Sequence, residues 1–132
     1  MKNNLQATEL SEQITVIEFC DLFGIPVVHI ANEGKRSVVG GAILKRAGLR
    51  KGFPDLFIPV ACKGYHGLFI EMKTKTGKAT AEQIEWLRKL DTNGYFCAVC
   101  HGSDQAIELI TKYIENERSE KNGRIHEYIR GV

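Results

Sequence analysis

No apolar run in this chain approaches the roughly 18 residues that a membrane-crossing helix needs, and no signal peptide or lipidation motif is present. A membrane role is therefore not expected, and a reducing, cytoplasmic setting is. The chain has four cysteines, at 20, 62, 97 and 100, and no second C-x-x-C to complete a zinc site with Cys97-Ala-Val-Cys100. That pair falls within Gly94–Cys100, which reads as a buried strand. Residues three apart on a strand face opposite sides, so the expectation is buried structural thiols. The phosphate-binding pattern G-x-x-x-x-G-K-[ST] is also missing, although Thr74-Lys-Thr-Gly-Lys78 is a polar loop of similar composition. No recognition helix, internal repeat or low-complexity tract is visible. At 132 residues the chain is read as one domain, 1–132, with a core over about 8–114 and a charged extension over 115–132.

The most informative scarcity is of acids. The net charge is only +2, and bulk charge says nothing about partners. Between Lys35 and Lys78, however, ten Lys or Arg residues are accompanied by only two acids, Asp55 and Glu71. Asp55 opens a strand-like stretch, Gly52-Phe-Pro-Asp-Leu-Phe-Ile-Pro-Val60. Glu71 and Lys73 close a second one, Gly67-Leu-Phe-Ile-Glu-Met-Lys73. Both stretches are rich in β-branched and aromatic residues. Glu71 and Lys73 are two apart and share a strand face, with Met72 turned away. Six residues, Ala61–His66, join the stretches and suit a hairpin, which would bring Asp55 beside Glu71 and Lys73. Pro-Asp at a strand entry is ordinary turn chemistry, and Glu-x-Lys is commonly a solvated pair. A basic segment whose only carboxylates converge in this way instead suits a phosphate-binding surface containing a divalent-metal site.

The remaining chain alternates helices and strands. Thr8 caps a helix running to about Phe23, with Leu10, Ile14, Ile17 and Val16, Phe19, Cys20, Phe23 at helical spacing. Gly24 ends it, and Ile25–Ile30 reads as a strand. Asn32–Ser37 is a loop carrying Lys35 and Arg36, and Val39–Ala47 a short helix stopped by Gly48. Thr80 with Gln83 three residues on is a capping-box pattern that opens a helix bearing Ile84, Leu87 and Leu90. The strand Tyr95–Cys100 follows, parallel to a neighbour through that crossover helix. Gly102-Ser103 then caps a last amphipathic helix through Ala106, Ile110 and Ile114. Glu9 and Glu12, in the first turn of the first helix, have an ordinary role toward the helix dipole.

Gly24-Ile-Pro26, Asn32–Ser37, Gly52-Phe-Pro-Asp-Leu56, Gly64–Lys73, Glu82-Gln83 with Trp86, and Gly94-Tyr95 occur together in an order that resembles the VRR-NUC group of the PD-(D/E)xK nuclease superfamily. The closest likeness is to its small stand-alone phage form. The match covers about residues 8–114. This resemblance implies an α/β fold of the restriction-endonuclease-like type, a central mixed β-sheet flanked by helices. It implies Mg²⁺- or Mn²⁺-dependent hydrolysis of DNA phosphodiesters. Asp55 and Glu71 would hold the metal, with the Met72 carbonyl and Glu9 as further ligands. Glu12 competes with Glu9 for that place. Lys73 would act on the attacking water or the phosphate, and Gln83 matches the family's glutamine near the site. Lys35, Arg36, Lys75 and Lys78 would hold flanking DNA phosphates. By the same analogy the enzyme would act as a homodimer on branched DNA such as a Holliday junction, phage-encoded and working in the bacterial host cytoplasm. Alternatives are a flap or single-strand nuclease of the same fold, or a non-catalytic DNA-binding module.

Overall fold

The computed structural model describes residues 8–31 and 38–119. The loop basics Lys35 and Arg36, and residues 120–132 of the charged extension, lie outside them. The order of elements is α1 (Glu9–Leu22), β1 (Val28–His29), α2 (Val38–Arg46), β2 (Leu56–Ile58), β3 (Leu68–Lys73), α3 (Ala81–Thr92), β4 (Phe96–His101) and α4 (Ser103–Ser119). Among the described residues the strands form one mixed sheet in the order β1-β2-β3-β4. β1 and β2 are antiparallel, as are β2 and β3, while β3 and β4 are parallel. The expected hairpin and the expected parallel crossover through α3 are both present, and the fold is α/β with helices flanking a central mixed sheet.

β3 is buried along its whole length, as a central strand covered on both faces must be. One face of the sheet packs on α1 and α4 through Val16, Cys20, Leu56, Ile58, Ile70, Met72, Leu109 and Tyr113. The opposite face holds a smaller core of Phe69, Leu87 and Cys97, against which Phe53, Phe57 and Tyr95 pack. Cys97 and Cys100 therefore look to opposite sides. All four cysteines are free thiols and buried. Burial pushes Cys97 and Cys100 up to about 12 and Cys20 to about 11, so these thiols are inert packing groups.

The helix starts are specified by local chemistry. Thr80 Oγ1 accepts from Gln83 N–H at 3.1 Å, and Gln83 Oε1 accepts from Thr80 N–H at 2.8 Å. Thr8 and Ser11 form the same reciprocal box at the start of α1. Gly52 is required by its surroundings: its φ is +91°, and a Cβ there would stand 2.9 Å from the Glu82 carbonyl carbon at the start of α3.

Two expectations need correction in detail. The strand read over Ile25–Ile30 shrinks to Val28–His29, an exposed edge pair, because Pro26 cannot donate to a ladder and only a short strand faces it. In α1 the residues turned inward are Gln13, Val16 and Cys20, whereas Leu10, Ile14 and Phe23 stand in solvent. The apolar residues of α1 occupy more than one face, and the sheet covers only one of them.

Candidate active site

The chain leaves the Gly52 turn through Pro54 and presents Asp55 just before β2. β1 holds the Asp55 backbone: its carbonyl accepts from Ile30 N–H at 2.8 Å and from His29 Nδ1 at 3.0 Å. The side chain is fixed from the other side, where Oδ2 accepts from Met72 N–H at 2.8 Å. β2 starts at Leu56, paired with Ile70, so the Asp55 carboxylate occupies the place where a further rung of the β2–β3 ladder would be. A residue's N–H and C=O leave a strand along the same edge. The Met72 carbonyl therefore faces the Asp55 side of β3.

Glu71 lies on β3 and is only 2% exposed. Its Oε2 is 3.6 Å from Lys73 Nζ. Its Oε1 is buried with no hydrogen-bond partner. Burial, followed by the nearby Asp55 charge, pushes the Glu71 carboxyl up to about 8. The Lys73 ammonium pulls the other way but is outweighed. Without a cation, this pair of carboxylates holds a proton at neutral pH.

Lys73 is itself buried, 8% exposed, at the end of β3. Glu9 reaches it from α1, with Oε2 3.9 Å from Nζ. The structure thus brings Asp55, Glu71, Lys73 and Glu9 together. It also separates the two α1 glutamates: Glu12 Oε1 accepts from Ser103 N–H at 2.6 Å, at the start of α4. That bond to the backbone is the main reason the Glu12 carboxyl is held below its ordinary value. Gln83 has its Oε1 committed to Thr80 N–H. Lys75 and Lys78 are exposed on the loop after β3. Lys75 lines a cleft of about 600 Å³ with Thr74, Thr76, His101 and Ser103.

Sequence reading missed the bonds that hold the end of β3. Gly102 N–H donates to the Lys73 carbonyl at 2.9 Å, and His101 Nδ1 donates to the Thr74 carbonyl at 2.9 Å. Gly102-Ser103 was readable as a cap, but neither its contact with Lys73 nor the tie to Glu12, 91 residues away in the chain, leaves a local signal.

The donor set suits a hard divalent ion. Two adjacent carboxylates, one with an orphaned buried oxygen, and a carbonyl turned to the same side are oxygen ligands of the type Mg²⁺ and Mn²⁺ accept. Among the described residues no group of three or more His, Cys, Asp or Glu forms a cage. A two-carboxylate site fits an ion that keeps several of its own waters.

Comparison with known proteins bears on the family and the fold. The family model of the VRR-NUC domain matches residues 29–104. A solved VRR-NUC domain protein superposes with a TM-score of 0.72 and 31% sequence identity, over 87% of this chain and 92% of its own. No curated protein matches the chain. With Asp55, Glu71 and Lys73 inside the matched span and most of the chain superposed on a solved relative, the protein belongs to the VRR-NUC domain family, a family of nucleases.

Proposed function

We propose that the protein is a metal-dependent, structure-selective DNA endonuclease that acts as a dimer on branched DNA, with four-way junctions as the first substrate to examine. The observation that carries the metal-dependent reading is the buried Glu71, with its orphaned oxygen, between the half-buried Asp55 and Lys73. A buried carboxyl set beside a second one is poorly arranged for stability and well arranged to hold a cation.

Asp55, Glu71 and the Met72 carbonyl would hold Mg²⁺ or Mn²⁺, and Glu9 would hold one of the ion's waters from the α1 side. The bound ion supplies charge neutralisation at the scissile phosphate and a water of lowered pKa. Lys73 contributes a fixed positive charge, bracketed by Glu9 and Glu71, at the place where the attacking oxygen and the phosphate meet. Its low exposure matters, because a charge withdrawn from water acts more strongly on the developing negative charge. Lys75 and Lys78, exposed on the loop that follows Lys73, would grip flanking phosphates without reading bases. Lys35 and Arg36 are assigned the same task from the sequence. Gln83, at the start of α3, would be near the phosphate through its amide while its Oε1 keeps the cap.

With no base-reading element among the described residues, the enzyme is expected to select DNA by shape. A two-fold dimer would set two such sites against two strands of one junction. Cleavage of matched four-way junction, flap and linear duplex DNA, combined with the mass of the protein in solution by light scattering, tests this. The expected result is a dimer making paired, symmetric cuts in the junction, with little dependence on local sequence. Cutting of flaps or single strands alone, or by a monomer, would retain the nuclease and refute the junction reading. DNA binding with no cutting of any substrate would favour the non-catalytic module.

A further inference from the structure

Glu12 lines the cleft beside Lys75, and it also ties α1 to the sheet end that carries Lys73. Its Oε1 accepts Ser103 N–H at 2.6 Å. The adjacent Gly102 N–H donates to the Lys73 carbonyl. Glu9, three residues before Glu12 and so nearly one turn away on the same helix side, contacts the Lys73 ammonium. The three contacts close a ring: Lys73 backbone, Gly102-Ser103, Glu12, one turn of α1, Glu9, Lys73 side chain. Glu9 is the first residue of α1, directly after the Thr8 cap, so the placement of the first turn of the helix sets its height above the sheet. The backbone donor is at the start of a helix of 17 residues, where an ionised carboxylate is held firmly.

We propose that Glu12 is a positioning residue: by binding Ser103 N–H it fixes the first turn of α1 against the end of β3 and so holds Glu9 on Lys73. This inference rests on the assignment of Glu9 and Lys73 to the active site. Two substitutions break the tie from opposite ends. Glu12→Ala removes the acceptor. Ser103→Pro removes the donor at a first helical position, where proline is tolerated. Glu12→Gln keeps an acceptor oxygen and serves as the conservative variant.

The test is a cycle of single-turnover cleavage kinetics with Glu9→Gln, with KM measured alongside and melting recorded for each variant. Glu12→Ala and Ser103→Pro are each expected to lower kcat by about tenfold, the scale of a displaced catalytic group, with KM changed less than twofold. Glu12→Gln is expected to recover most of the rate. In the Glu9→Gln background, Glu12→Ala is expected to cost less than twofold further, because its effect passes through Glu9. An undiminished tenfold loss in that background, or a loss confined to KM, would overturn the proposal. If Glu9→Gln alone leaves kcat unchanged while Lys73→Ala abolishes cleavage, the assignment of Glu9 is wrong and the positioning role is overturned with it. If Lys73→Ala also cuts normally, it is the reading of the site that fails.

Discussion

Lys73→Ala is expected to lower the rate of DNA cleavage by about a thousandfold or more while changing DNA affinity, measured without divalent ion, by less than about threefold. The two effects separate because of where the charge lies. Lys73 is buried at the end of β3 between two carboxylates and adds little to the outer field that attracts DNA. In the proposed reading that task falls to Lys75 and Lys78, which are exposed. The variant is also expected to fold. Deleting the ammonium beside Glu71 leaves a buried carboxyl that retains its proton, rather than an uncompensated buried charge. Gel-based cleavage beside fluorescence anisotropy distinguishes this from the alternative, a Lys73 that merely tethers DNA, in which rate and affinity would fall together.

The second large effect concerns Glu71. Its carboxyl is raised from 4.5 to about 8 in the folded protein, first by burial and then by Asp55. Between those values the native state keeps a proton that the unfolded state has lost. Stability of the metal-free protein should then be fully present below about pH 4.5. It should fall by up to about 1.4 kcal/mol per pH unit as pH rises toward 8, and level off above it. Glu71→Gln preserves the volume and a hydrogen on the side facing Asp55 but cannot ionise. It is expected to flatten that slope, leaving the metal-free variant more stable than wild type at pH 8.5 and close to it at pH 4.5. Cleavage should be lost at every pH. Adding Mg²⁺ or Mn²⁺ should raise the melting temperature of wild type, by binding only the folded form, and leave Glu71→Gln unmoved. Urea unfolding across pH 4.5–8.5, with and without the ion, measures all of these. Parallel slopes for the two proteins would show that Glu71 is not the proton carrier.

Much of this architecture could be read locally. The Thr80-x-x-Gln83 box, the helix-ending glycines at 24 and 94, and the two apolar stretches around Asp55 and Glu71 each declare an element through local sequence. The parity of Glu71 and Lys73 on one strand, together with a six-residue hairpin link, already placed three site residues near one another. What could not be read locally was decided by contacts distant in sequence. Periodicity shows which α1 residues share a face but not which face the sheet will cover, and so Leu10 and Ile14 are exposed while Gln13 is buried. Glu9 and Glu12 are both first-turn acids, and the resemblance places the family's glutamate on Glu9 with Glu12 a close competitor. They part only because Lys73 stands opposite one and the Ser103 N–H opposite the other. Gln83 shows the reverse case, in which the local cap is the contact the structure makes.

In the proposed mechanism Asp55 and Glu71 hold the ion that permits hydrolysis. The most direct measurement is cleavage of a four-way junction by protein stripped of divalent ions, then supplied with Mg²⁺ or Mn²⁺, with Asp55→Ala treated in parallel. The stripped protein is expected not to cut, wild type to recover fully on addition of either ion, and Asp55→Ala not to recover at any ion concentration. Cutting that persists in excess chelator, or an Asp55→Ala variant that recovers with wild type, would contradict this mechanism.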